Sequence, residues 1–437
     1  MVSPPAGPER PDRRIIARVG ERNPPISETF RLNLFHRLSA RPPVTIARVE
    51  HGPALDQFTF DQVERARRYH RPLYAAMAGG FVLSVALLAL LAFGWPGHRL
   101  GRALQGLPWW GATPAWVGIV VGLEFAAGLP LSFWRGYLRE KRWGFSTQRL
   151  SGWIADRLKG LAVGLVLAPA AVLGFVGLAR ALPGAWPWAV APAAAGLVLL
   201  LSFVAPAVLE PLFNRFEPLA DERLAGDLLA LSERCGVPVR EVLVADASRR
   251  TRKENAYVSG LGRTRRVVVF DTLLSRADPA ELRLVVAHEL GHRRLRHVAK
   301  GTLLGVAGIV GAVAALWLLL RPGAVLRAAG AASAGDPRVV PLVVLAAASL
   351  QLLVLPFESG LSRRWESAAD RFSLDMTGDV EVFVRTHRAL AVSNLADLDP
   401  PRWTYLAVFT HPTPPERMAA ALAQVRGPVS PSRPTTA

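Results

Sequence analysis

The segment Val286-Ala287-His288-Glu289-Leu290-Gly291-His292 decides how the rest of the chain is read. His288 and His292 are four residues apart, so on a helix both imidazoles leave one face and can bind a single metal ion. Glu289 stands beside the first histidine, placed to reach a water on that ion. A helix is predicted here because its start is written upstream. Asp278 is the N-cap, Pro279 takes the first helical position and Glu281 follows three residues after the cap. The apolar positions Leu282, Val285 and Val286 continue it.

This spacing is the H-E-x-x-H arrangement of zinc hydrolases. Two histidines leave a catalytic site incomplete, since it needs a third protein ligand and an open position for water. Cys235 is the single cysteine, which excludes a cysteine-built zinc site and an internal disulfide. The third ligand must therefore be a histidine or a carboxylate. The helical segment from Ser362 to Asp370 offers Glu366. Asp370, one turn later, can accept a hydrogen bond from the outer nitrogen of a liganding histidine. His297 falls five residues past His292, off the ligand face, so it can only back a ligand or lie on the surface, and it reads as a surface residue. His387 reads as an exposed helix residue. His411 opens the Pro-rich turn His411-Pro412-Thr413-Pro414-Pro415 and could stabilise an oxyanion. An ion-paired helix around Glu366 and a plain turn at His411 are the alternatives.

Outside this site the 437-residue chain is 51% apolar, too apolar for a disordered chain or an ordinary soluble enzyme. Six stretches approach the roughly 20 residues a helix needs to cross a bilayer. They are Pro72–Gly94, Ala115–Trp134, Leu161–Ala179, Trp188–Leu209, Gly301–Leu320 and Val339–Phe357. Trp95, Trp109, Trp110, Trp134, Tyr137, Trp186 and Trp188 mark several ends, as an interfacial aromatic belt does. Lys and Arg outnumber Asp and Glu by 52 to 34, and 48 of the 52 are Arg. With the N-terminus inside, 46 of the 52 fall in inside segments and six outside. Both termini and the metal site are thus expected on the cytoplasmic side of the cell membrane. The basic residues spread over all the inside loops without a recognition motif, so nucleic acid is not an expected partner.

Residues 1–56 read as a basic, Pro-rich, disordered arm without the apolar run of a cleavable signal. Residues 57–209 hold a short amphipathic helix over 57–71 and spans one to four. Segment 210–300 is a cytoplasmic α+β part carrying the metal-binding helix, with a helix over Asp221–Cys235 and strands at Glu241–Ala245 and Arg266–Phe270. Residues 301–357 are spans five and six, and 358–437 a cytoplasmic part with the third ligand and a final helix. Glu124, inside the second span, is costly in lipid and reads as lining an aqueous chamber.

The chain resembles the type I CAAX prenyl proteases, integral-membrane zinc endopeptidases of metallopeptidase family forty-eight, and is similar to what a bacterial member would be. Five further ordered motifs carry the resemblance beyond the histidine motif: Lys141-Arg142-Trp143-Gly144-Phe145-Ser146; Glu210-Pro211-Leu212-Phe213-Asn214-Arg215-Phe216; Asn255-Ala256-Tyr257 with Val269 to Leu274; Ser362-Arg363 through Glu366 and Asp370; and His411-Pro412 with Glu416-Arg417. They span roughly residues 57–425. The resemblance implies a mainly α, polytopic membrane protein whose helices enclose a chamber, closed by a gluzincin-like α+β domain. It implies one Zn²⁺ on His288, His292 and Glu366, with Glu289 as base, Asn255 holding the substrate backbone and His411 the transition state. The substrate would be a peptide or membrane protein, lipidated or not. Eukaryotic members have seven spans against six here, and the N-terminal arm lies outside the family pattern.

Two rival readings remain at this point. A site-2-type intramembrane protease also uses H-E-x-x-H, but within an apolar span and with a Leu-Asp-Gly ligand, which this chain lacks. A non-enzymatic membrane protein with structural zinc would need a fourth protein ligand, His297 or His411.

Overall fold

Among the described residues, six helices are long and apolar enough to cross a membrane: Phe60–Phe93, Trp109–Arg142, Leu150–Ala181, Trp186–Val204, His297–Leu320 and Pro337–Thr377. Each overlaps one stretch foreseen from the sequence. The computed structural model describes residues 55–426 except 206, 207, 209, 261 and 322. The arm assigned to 1–56 therefore lies almost wholly outside the described residues.

The first helix corrects one expectation. No break separates an amphipathic helix over 57–71 from the first span: Thr59 caps a single 34-residue helix in a capping box with Gln62, and Pro72 lies inside it. Proline removes one backbone bond and is tolerated where packing supplies the rest. The sixth helix, Val340–Thr377, likewise passes Pro356 without interruption over 38 residues and stops at Gly378, whose φ of 68° is left-handed. The spans meet through Leu88, Trp116, Val117, Val120 and Val340. A second cluster joins Ala179, Trp186, Val313, Leu320 and Leu342. Leu303, Leu353 and Phe203 stay exposed on these helices.

The polar part is built on a four-stranded sheet, β1 (Phe216–Pro218), β2 (Glu241–Ala245), β3 (Ala256–Ser259) and β4 (Arg266–Phe270), in the order β1-β2-β4-β3. β2 and β4 are parallel, and β1 and β3 pair antiparallel at the two edges. β2 and β4 match the predicted strands. β1 and β3 are three and four residues long, too short to leave an alternating pattern. Helix Glu222–Arg234 packs Leu228 and Leu231 onto Val267 and Val269, and the motif helix Pro279–Arg294 adds Val286, Ala287 and Leu290 to the same core. The predicted Asp278 cap is present, as a full capping box with Glu281.

Candidate metal centre

The motif helix lies directly against the sixth helix, and Gly291 is what allows it. A Cβ at that position would stand 2.9 Å from Cδ1 of Phe372 and 3.4 Å from Cα of Ala369. The close approach puts Glu366 and Asp370 beside His288 and His292. His288 Nε2 and His292 Nε2 are 3.2 Å apart. Glu366 lies 3.3 Å from each ring, through Oε2 to His288 and Oε1 to His292. Among the described residues these three form the group of donors that could hold a metal ion. Glu366 Oε2 is buried and receives no hydrogen bond. A buried carboxylate oxygen that receives no hydrogen bond is costly unless a cation completes it.

Each histidine is held from behind by a different partner. His288 Nδ1 lies 2.9 Å from Asp370 Oδ1, and Arg417, from the C-terminal helix Pro414–Arg426, grips both oxygens of Asp370, with Nε 2.7 Å from Oδ2. This buried charge pair directs His288 Nε2 at the centre. Burial pushes the His288 ring down, but the Asp370 and Glu366 carboxylates outweigh it and hold it at about 9. The donor set thus attracts positive charge. His292 is backed by His297, with the two Nδ1 atoms 3.1 Å apart, and His297 stacks on Trp365 at an interplanar angle of 7°. With Nε2 of His292 turned to the centre, its Nδ1–H donates to His297.

Two sequence expectations fail here. His297 is 5% exposed and supports the site instead of lying on the surface. Arg296 takes a left-handed backbone, φ 60°, between the motif helix and the next. His297 therefore starts a new helix and is not carried round by the old one. His387 is also buried, where its ring stacks on Phe383 and bonds that residue's carbonyl, 2.9 Å away. Burial first, then the Arg417 charge, pushes His387 down to about 3, so it stays neutral. Phe383 and His387 are one turn apart on the face with Val382 and Thr386, a pattern that was open to reading.

A cavity of about 570 Å³ opens on the site. Glu289 faces it with no hydrogen bond among the described residues, and burial raises its carboxyl despite the pull of His288 and His292. Asn255 lines it immediately before β3, its side-chain oxygen accepting from the Ala256 N–H at 3.0 Å. His411 lines it too, half-exposed, with Nε2 3.3 Å from Glu366 Oε2. His411 is nonetheless outside the mutually close donor set. His70 and Tyr74 of the first membrane helix form the far wall, His70 bonding the Leu395 carbonyl at 2.7 Å and Tyr74 bonding Asp397. The seven residues singled out from sequence thus meet around one cavity or directly behind it. Glu124 lies in the second membrane helix with one oxygen buried and unpartnered among the described residues.

This geometry meets clear counterparts among known proteins. Residues 53–215 match the family model for the CAAX prenyl protease N-terminal region, described as five membrane helices. Here that stretch carries four helices of spanning length. Residues 218–425 match peptidase family M48. A Bacillus subtilis protein named uncharacterized metalloprotease YhfN is 29% identical over 307 residues, 69% of this chain and 71% of that one. CAAX prenyl protease 1 of Saccharomyces cerevisiae is 30% identical over 183 residues, covering 42% of this chain and 40% of its own length. The crystal structure of S. mikatae Ste24p shares the fold, with a TM-score of 0.76 at 22% identity over 86% of this chain and 92% of that one. The two models tile almost the whole described chain, and the chain belongs to peptidase family M48, as an integral-membrane metalloendopeptidase.

Proposed function

We propose that the protein hydrolyses peptide bonds with one Zn²⁺ per chain, held by His288, His292 and Glu366. One observation carries the ligand set, and the zinc of metallopeptidase family M48 is the metal it suits. Tetrahedral zinc with bonds of about 2.0–2.1 Å separates its ligands by about 3.3 Å. Here the two imidazole nitrogens lie 3.2 Å apart, and the two oxygens of Glu366 each lie 3.3 Å from one of them. The set leaves a fourth position open, which favours catalysis over a closed structural site.

Zinc in this position would polarise the scissile carbonyl and acidify water. Glu289 takes a proton from the attacking water and passes it to the leaving amine, and its raised affinity for the proton suits both steps. His411 donates to the carbonyl oxygen as that atom gains negative charge. Asp370 keeps the proton on Nδ1 of His288, so Nε2 stays a ligand. Asn255 heads β3, an edge strand beside the cavity, where its side chain can reach an extended substrate. The substrate is a peptide chain at the membrane surface, with a lipidated chain the narrower case, by analogy with relatives named CAAX prenyl proteases. The arginine distribution favours the cytoplasmic side for both termini and the site.

The test pairs metal analysis with mass-spectrometric cleavage of matched farnesylated and bare peptides by the detergent-purified protein. Glu289→Ala retains zinc and loses turnover by about 10²–10⁴-fold. Glu366→Ala loses zinc. Equal, undiminished zinc in both variants would remove Glu366 from the ligand set. Cleavage confined to the farnesylated peptide establishes the lipid requirement, and cleavage of both dismisses it.

A further inference from the structure

A second cavity, about 800 Å³, lies behind the metal site, walled by the sixth helix and the C-terminal helix. Its lining changes character along the sixth helix, from apolar Pro356, Phe357 and Leu361 to basic Arg364 and Arg371. Phe357, Arg364 and Arg371 are seven residues apart, two turns each, and share one face. Phe357 ends the apolar stretch and is 78% exposed. The acids in the wall are already engaged, Asp370 by Arg417 and Glu416 by the Tyr405 hydroxyl and the Thr413 N–H. Glu358, on the next turn, accepts from Gln351. Arg363 donates to the Tyr405 and Phe409 carbonyls. Arg364 and Arg371 are exposed and have no hydrogen bond or ion pair among the described residues.

We propose that this cavity binds the anionic headgroup of a membrane phospholipid, with the acyl chains along Phe357 and Leu361 and the phosphate on Arg364 and Arg371. Three observations favour this occupant. The basic end starts about 5 Å of helix below Leu361, a depth that headgroups occupy. Two guanidinium groups from one helix face can converge on a phosphate placed between them. The apolar rim continues a span, which neither free phosphate nor an acidic peptide would use. Arg417 and Pro412 line both this cavity and the site cavity. The bound lipid therefore stands behind the pair that orients His288. The proposal does not depend on the identity of the metal.

The test is native mass spectrometry of the full chain in detergent, offered phosphatidylglycerol and phosphatidylcholine. The wild type retains phosphatidylglycerol about tenfold better. R364Q/R371Q loses that preference with unchanged melting temperature and metal content, and R364K/R371K keeps most of it. A wild type without preference, or a double glutamine variant with the wild-type preference, overturns the site. Displacement of the lipid by millimolar inorganic phosphate overturns it in favour of a free-phosphate site. Displacement by a short acidic peptide overturns it in favour of a protein ligand.

Discussion

The two histidines of the centre are one turn apart on one helix, yet their surroundings differ in kind. His288 leans on charge: Asp370 behind it, both buried, and Arg417 behind Asp370, mostly covered. His292 leans on neutral rings, His297 and Trp365. A buried ion pair is unforgiving, because removing one member strands the other in a medium that cannot solvate it. A stacked imidazole sets a tautomer without that liability. Geometry is thus fixed twice, once at high electrostatic risk and once at low.

That contrast can be broken by experiment. Asp370→Asn keeps the shape and strands Arg417, so it should destabilise the fold by about 3–5 kcal/mol and weaken metal binding as well. Denaturation midpoints and metal titration read the two effects. His297→Leu should lower metal affinity about 10–100-fold while the melting temperature hardly moves. Equal stability losses in these two variants would show that the backings are alike after all. Asp278→Ala serves as the neutral reference: loss of the cap should cost about 1 kcal/mol of stability, with metal affinity intact. The cap also has a pH signature. The Glu281 N–H holds the Asp278 carboxyl below its ordinary range. Its stabilisation is therefore complete above the ordinary carboxylate pKa and fades as pH falls through the lowered one. The alanine variant should show a correspondingly flatter loss of stability in acid.

The fold was legible where the signals were long or chemically explicit. Six apolar runs became six long helices, and Asp278-Pro279 with Glu281 became a capping box. Glu366 and Asp370 were readable because few carboxylates sit at helical spacing beyond the motif. The placement of His297 was not readable. Helical phase carries it away from His292, and nothing in Arg294-Leu295-Arg296 announces a left-handed break, since the chain has no glycine there. β3 escaped for want of length, although it forms the sheet edge nearest the cavity. Arg417 escaped because its partner lies 47 residues away in sequence.

The unbroken sixth helix has a consequence for where a substrate is cut. Phe357, at the end of the apolar stretch, and Glu366 belong to one rigid rod. Nine residues of α-helix measure about 14 Å. The catalytic centre therefore sits at a set depth below the bilayer boundary, and the helix acts as a ruler. An extended chain covers that depth in about four residues. Under the proposed function, a substrate anchored in lipid would be cut at a bond set by its distance from the membrane.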